Sequence, residues 1–252
     1  MANYVRFRDA AGGEHYGQLD GATVSALSGA PWLGGVSTGF TAALDAVTLL
    51  APAEPRTIVC VGLNYASHLQ GRPVPDPPTL FFKPLASIAN PGEGIVLPPD
   101  AGRVDPEGEI VVVIGKRLSR ASREEALAGI FGYTAGNDVS ARAWQRADGQ
   151  WWRAKGSDTF GLFGPTVVTG LGYDQIELTT RVNGVQAQHA KSDELIRDIP
   201  EIVRYISQTI TLVPGDIIYT GTPGEPQALN PGDIVEVEIT GAGILSNPVV
   251  AG

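Results

Sequence analysis

The sequence predicts a mixed, β-rich (α+β) fold with largely antiparallel strands, and two observations carry this. Strand-like runs outnumber helical ones along the 252 residues. The turns between them are mainly of hairpin type, such as Ala11-Gly12-Gly13, Asp20-Gly21 and Asn183-Gly184. A doubly wound sheet would instead need strands alternating with long helices.

Short strands are expected at Tyr4 to Phe7, His15 to Leu19 and Thr23 to Leu27, followed by a helix from about Thr41 to Leu50. The run Ala51-Pro-Ala-Glu-Pro-Arg56 then breaks the pattern. A small amino-terminal α/β domain over residues 1–53 and a main domain over 54–252 are therefore expected. The main domain opens with a strand, Thr57 to Val61, that runs into Gly62-Leu-Asn-Tyr-Ala-Ser-His68, a polar turn or short helix. Four prolines between Gly71 and Pro78 make that stretch an irregular surface loop.

The stretch Arg103 to Lys116 holds a continuous branched-aliphatic run, Ile110 to Ile114, which predicts a strand buried on both faces. Ser122-Arg-Glu-Glu125 is a capping box that opens a helix running to about Ile130. Asp198-Ile-Pro200 starts a second helix, with Ile202, Val203 and Ile206 on one face. Further strands are expected at Gly164 to Thr169, Ile176 to Val182, Asp216 to Tyr219 and Asp233 to Ile239.

Composition limits the function. Hydrophobic residues make up 43% and the formal net charge is -9, the pattern of an acidic, soluble globular protein and a poor fit to nucleic acid. No apolar run of about 18 residues predicts a membrane span, and Met1 to Arg8 has no signal-peptide core. The single cysteine, Cys60, allows no internal disulfide, which fits a cytoplasmic location. Set in an apolar strand, it reads as core rather than nucleophile.

Candidate chemistry starts at the mouth of the buried strand. Glu107 and Glu109 stand at i and i+2, so their carboxylates point to the same side. Such a pair needs a shared proton, a counter-charge or a hard divalent cation; the plainer reading is a solvated strand end. Asp138 follows the small-residue run Thr134-Ala-Gly-Asn137 and is placed at a strand end too, or else caps a turn. Three such carboxylates would suit Mg2+ or Mn2+ and leave room for water and a chelating substrate. Zinc fits poorly, because no histidine or cysteine grouping has ligand spacing. Lys155, in the glycine-bounded aromatic segment Trp151 to Gly164, can hold a carboxylate or polarise a carbonyl. Thr220-Gly-Thr222-Pro ends a strand in a tight turn whose hydroxyls and amides can meet a carboxylate. Of the three histidines, His15 reads as structural and His189 as surface, which leaves His68 for proton transfer.

Taken in this order, the motifs resemble the fumarylacetoacetate hydrolase superfamily, in particular its short bacterial isomerase, decarboxylase and acylpyruvate hydrolase members. They are Val61 to His68, Glu107-Gly-Glu109, Gly132 to Gln145, Arg153-Ala-Lys155 to Pro165, Thr180-Arg-Val-Asn-Gly184 and Thr220 to Pro223. The resemblance implies a β-roll catalytic domain, usually homodimeric, with one site per subunit. It implies that Glu107, Glu109 and Asp138 bind Mg2+ or Mn2+ and that Lys155 and His68 are catalytic. It places Tyr65, Arg142, Gln145 and Thr222 with the substrate, Thr222 meeting its carboxylate.

One departure bears on the reaction. The family commonly has a glutamate three residues after the histidine, forming a dyad that activates water; here the order is His68-Leu-Gln-Gly71. Gln70 or a nearby acid such as Asp76 is the available substitute. Pro106 and Gly224 are smaller departures. The expectation is therefore a metal-dependent decarboxylase or isomerase of small 2-oxo or 2-hydroxy-dienoic dicarboxylates in aromatic catabolism. The alternatives are a hydrolase of acylpyruvates and a non-catalytic binder of metal and dicarboxylate.

Overall fold

A computed structural model describes residues 1–252. Its centre is the strand Gly108–Ile114, every residue of which is buried. The branched side chains alternate faces, so one run of sequence serves two cores. Ile110, Val112 and Ile114 enter the larger core; Val111 and Val113 enter a smaller one with Ile58, Cys60, Phe163 and Tyr219. Full burial of each such side chain contributes about 1.5 to 3 kcal/mol, which makes this strand a fixed base for the acids at its mouth.

Gly108–Ile114 lies between Ile130–Asp138 and Ile217–Tyr219, antiparallel to both. The sheet continues on one side through Ile58–Gly62 to the edge strand Thr79–Phe82. On the other side it passes through Gly161–Thr169 to Ala2–Arg8 and the amino-terminal strands Glu14–Asp20, Thr23–Leu27 and Ser37–Ala43. Val185–Lys191, Glu177–Val182, Ile234–Ile239, Ile244–Ala251 and Ile95–Leu97 form a second, five-stranded sheet. Leu178, Val235, Val237 and Ile239 of that sheet join the larger core. The expected mixed, mainly antiparallel architecture is thus the observed one.

Both predicted helix starts are present. Ser122 Oγ accepts from Glu125 N (3.2 Å) and Glu125 Oε2 from Ser122 N (2.8 Å), opening the helix Arg123–Ala128. Asp198 accepts from Glu201 N (3.0 Å) and opens Ile199–Ser207, whose Ile202, Val203 and Ile206 are buried. A bidentate contact from Arg123 to Asp198 ties the two helix starts together. No helix is long and apolar enough to cross a membrane.

The helix expected over Thr41 to Leu50 is absent. Strand Ser37–Ala43, a single 3-10 turn Leu44–Ala46 and strand Thr48–Leu50 occupy this region. Thr41, Val47 and Thr48 are β-branched and suit a ladder, and Leu50 pairs opposite Arg6. The amino-terminal segment is consequently β with 3-10 turns. Its strand Ala2–Arg8 hydrogen-bonds to Gly161–Thr169, so both segments share one sheet.

Candidate active site

The register of two neighbouring strands assembles the acids. Gly108 lies opposite Asn137 and Glu109 opposite Gly136, which brings Asp138 beside Glu107. Asp138 N donates to Glu107 O (2.9 Å), and Asn137 Oδ1 accepts from Glu107 N (3.0 Å). Glu107, Glu109 and Asp138 are all buried, and one carboxylate oxygen from each lies within 4.8 Å of the others.

Three cations enclose this triad. Lys155 Nζ lies 2.5 Å from Glu107 Oε2 and 2.6 Å from Asp138 Oδ2. Arg142 Nη2 lies 2.6 Å from Glu107 Oε1 and is itself fixed by Asp105 (2.7 Å). Lys83 Nζ approaches Asp138 Oδ1 at 2.6 Å from the far side. Glu109 accepts a hydrogen bond from Gly221 N (2.6 Å).

These surroundings push the acids in opposite directions. Burial raises Glu107, but Lys155 and Arg142 more than offset it and hold its carboxyl below the usual range. Burial holds Glu109 well above that range, and the charges of Asp138 and Glu107 add to the effect. Burial alone would lower Lys155, yet Asp138 and Glu107 outweigh it and keep the ammonium charged.

The donor set fits a hard divalent cation. Three convergent oxygens are the ligands such an ion takes. Asp138 Oδ1 is buried, and its one partner is the Lys83 ammonium at 2.6 Å, which is not aligned for a hydrogen bond. Burial, and then the charges of Asp138 and Glu107, push Glu109 toward its neutral form, a cost that an added cation relieves.

The triad forms the floor of a cavity of about 510 Å³ that His68, Lys155, Arg142, Gln145 and Thr222 also line. His68, on the short helix Ala66–Leu69, has Nδ1 2.6 Å from Gly224 O. A carbonyl can only accept, so Nδ1 carries a proton and Nε2 is the ring nitrogen left free of this contact. Gln145 Oε1 accepts from Arg142 Nη1 (2.9 Å).

Tyr65 departs from expectation. It is 1% exposed, belongs to the large core and does not line the cavity; its hydroxyl lies 3.5 Å from Lys191 O. It stands immediately before the helix Ala66–Leu69 with its ring packed in the core, away from the cavity. Asp76 also stays away from the cavity, fully exposed beside Arg197 (3.6 Å). The acid at the cavity mouth is Glu225, which Gln70 contacts. Cys60 is buried, and desolvation pushes its thiol well above its usual value, so it is no nucleophile. His15 hydrogen-bonds Asp9 (2.8 Å), and His189 lies exposed beside Thr179, as expected of structural and surface residues.

Three polar residues escaped the sequence reading. Lys83 ends the aromatic pair Phe81-Phe82 ahead of Pro84, a lysine in an apolar setting that was the available signal. Asp105 precedes the paired glutamates and aligns Arg142. Gln188 sits in a polar stretch and had no signal, because its partners lie far away in the chain.

Comparison with known proteins agrees with this geometry. The family model described as fumarylacetoacetate (FAA) hydrolase C-terminal matches residues 57–250. The chain belongs to the fumarylacetoacetate hydrolase family. A second model, Rv2993c-like, N-terminal, matches residues 3–52. Protein Rv2993c of Mycobacterium tuberculosis is 48% identical over 219 residues, covering 84% of this chain and 82% of its own. The bovine mitochondrial oxaloacetate tautomerase FAHD2A is 41% identical, over 81% of this chain and 70% of its own. The crystal structure of 2-hydroxyhepta-2,4-diene-1,7-dioate isomerase from Mycobacterium marinum superposes with a TM-score of 0.92. It is 40% identical and covers 100% of this chain and 99% of its own. This member of the family thus has tautomerase- and isomerase-named relatives, and its site combines buried acids with a lysine and a histidine.

Proposed function

We propose that this protein isomerises small 2-oxo or 2-hydroxy-dienoic dicarboxylates by moving a proton, with Mg2+ or Mn2+ held by Glu107, Glu109 and Asp138. The observation that carries the reading is the pairing of a buried triad with a His68 held by a backbone carbonyl. The ion, when bound, supplies Lewis acidity that favours the enolate form of a 2-oxo acid. Lys155, a fixed cation between Glu107 and Asp138, adds positive charge where the enolate oxygen develops. His68, with Nδ1 engaged by Gly224 O, would use Nε2 to take a proton from the neighbouring carbon and return it elsewhere on the substrate. Arg142, braced by Asp105 and Gln145, orients a substrate oxygen at the wall.

The names of relatives favour tautomerisation or double-bond migration over decarboxylation, although both pass through the same enolate. Charge supports a dianionic substrate. Arg72, Arg103, Arg142, Arg146 and Lys155 around the cavity, with Lys83 behind Asp138, outnumber Asp105, Glu107, Glu109, Asp138 and Glu225 by one. A divalent cation would add to that positive surplus, which suits an anionic dicarboxylate.

A second reading, hydrolysis of an acylpyruvate, is favoured by Glu225, a carboxylate at the mouth beside Gln70 and next to Gly224. We further infer a homodimer, supported by exposed Phe82, Leu85 and Trp152 around the edge strand Thr79–Phe82, and a cytoplasmic role in aromatic catabolism. The deciding assay follows oxaloacetate and acetylpyruvate in parallel, each with Mn2+ and with chelator. Metal-dependent interconversion of keto and enol oxaloacetate is expected. Acetate from acetylpyruvate would move the assignment to the hydrolase, and inertness toward 2-oxo acids in both arms would leave a binder.

A further inference from the structure

Between the two glutamates lies a single residue, Gly108, and the polar groups on both sides of its Cα are held. Its N–H donates to Gln188 Oε1 (3.0 Å), and its carbonyl accepts from Thr222 Oγ1 (2.9 Å). Gln188 Nε2 in turn donates to Thr222 Oγ1 (2.8 Å) and to Pro223 O (2.7 Å). The three residues close a ring of hydrogen bonds, and Gln188 and Thr222 are both buried. The ring draws on three remote segments: the central strand, the strand Val185–Lys191 of the second sheet, and the turn after Thr220. No side chain fits at position 108, since a Cβ there would lie 1.8 Å from Thr180 Oγ1.

We infer that Gln188 and Thr222 are positioning residues for the metal carboxylates, acting through the two peptides that flank the Gly108 Cα to set the spacing of Glu107 and Glu109. The inference rests on the metal reading proposed above. A hydroxyl has one proton, and that of Thr222 goes to Gly108 O. Thr222 therefore cannot donate to a substrate carboxylate without opening the ring, unlike the role the family resemblance implies. Each glutamate side chain hangs from a Cα that borders one of these two peptides. A rotation of either peptide would change the spacing of the two carboxylates, and residues that orient ligands in this way commonly govern metal affinity.

The test measures Mn2+ affinity of chelator-stripped protein without substrate, by calorimetry or electron paramagnetic resonance. Circular dichroism confirms that each variant is folded. Thr222→Val and Gln188→Met each break the ring and are expected to weaken Mn2+ binding about 10- to 100-fold. Thr222→Ser keeps the hydroxyl and is expected to bind like the wild type. The double variant is expected to bind no more weakly than the worse single variant, because the ring opens only once. Should Gln188→Met fail to fold, Gln188→Glu carries the comparison, since it keeps the acceptor for Gly108 but cannot donate to Thr222. Wild-type Mn2+ affinity in Thr222→Val, with loss of oxalate binding at saturating Mn2+, would make Thr222 a substrate ligand and overturn the inference. Multiplying effects in the double variant would overturn it too. A wild-type protein that binds no Mn2+ would instead sink the metal reading, and the inference with it.

Discussion

Lys83 Nζ lies 2.6 Å from Asp138 Oδ1, with side chains 0% and 1% exposed, so a fully buried ion pair closes the back of the acidic triad. Lys83 also donates to Phe160 O (2.8 Å) and Lys155 O, which spends its donors inside the protein. Its place is behind the carboxylates, outside the substrate cavity.

Lys83→Met removes that charge while keeping most of the volume, and it leaves Asp138 with one fewer counter-ion. Breaking a buried pair from one side costs about 3 to 5 kcal/mol. Urea denaturation of the metal-free variant should show a loss of that order. Mn2+ should recover part of it by neutralising the same anion. Unchanged stability without metal would mean that Lys155 alone suffices.

Glu109→Gln is expected to abolish Mn2+ binding and turnover while leaving a folded chain. The sign of its effect on metal-free stability follows from burial, then from Asp138 and Glu107, which hold Glu109 well above its ordinary value of 4.5. A raised carboxyl stabilises the fold below pH 4.5, and this is lost as pH rises through the folded value. Metal-free wild type should therefore lose stability relative to Glu109→Gln as the pH is raised above 4.5. Thermal melts of the two proteins across that window, with no divergence between them, would refute the uncompensated charge.

Gly71→Glu places a carboxylate three residues after His68. Gly71 has φ +78° and no atom stands within 4 Å of where a Cβ would project, so there is space but the backbone is left-handed. The strain costs about 1 to 2 kcal/mol. Hydrolysis of acetylpyruvate should rise above the wild-type level if the missing dyad is what limits it. No rise, in a variant that still interconverts oxaloacetate, would show that loop geometry rather than the residue decides.

Asp198 caps one helix and pairs with the first residue of another, so two substitutions separate its roles. Asp198→Ala loses the cap and should cost about 1 kcal/mol or more. Asp198→Asn keeps a good cap but loses the charge facing Arg123. The hydrogen bond from Arg123 holds the Asp198 carboxyl below its ordinary 3.8, so the charge contributes stability above pH 3.8 and loses it as pH falls through the lowered value. The gap between wild type and Asp198→Asn should accordingly close in strong acid. A gap that is constant with pH would place the effect elsewhere.

Much of this protein was legible where the physics is local. The branched run Ile110 to Ile114 announced a strand buried on both faces, and Ser122 and Asp198 announced their helices, because alternation and capping depend on residues only a few positions apart. The spacing of Glu107 and Glu109 fixed their common side for the same reason. Thr41 to Leu50 misled, since its apolar spacing suited a helix while pairing with the first strand held its end extended. What only the tertiary structure decided are the contacts between distant segments. Strand register carried Asp138 to Glu107, Lys83 came to Asp138 from an edge strand, and Gln188 reached Gly108 from the second sheet. The sequence thus determined which side chains stand ready at each strand end. Which of them meet was decided by long-range pairing and by the requirement that every buried charge and polar group find a partner.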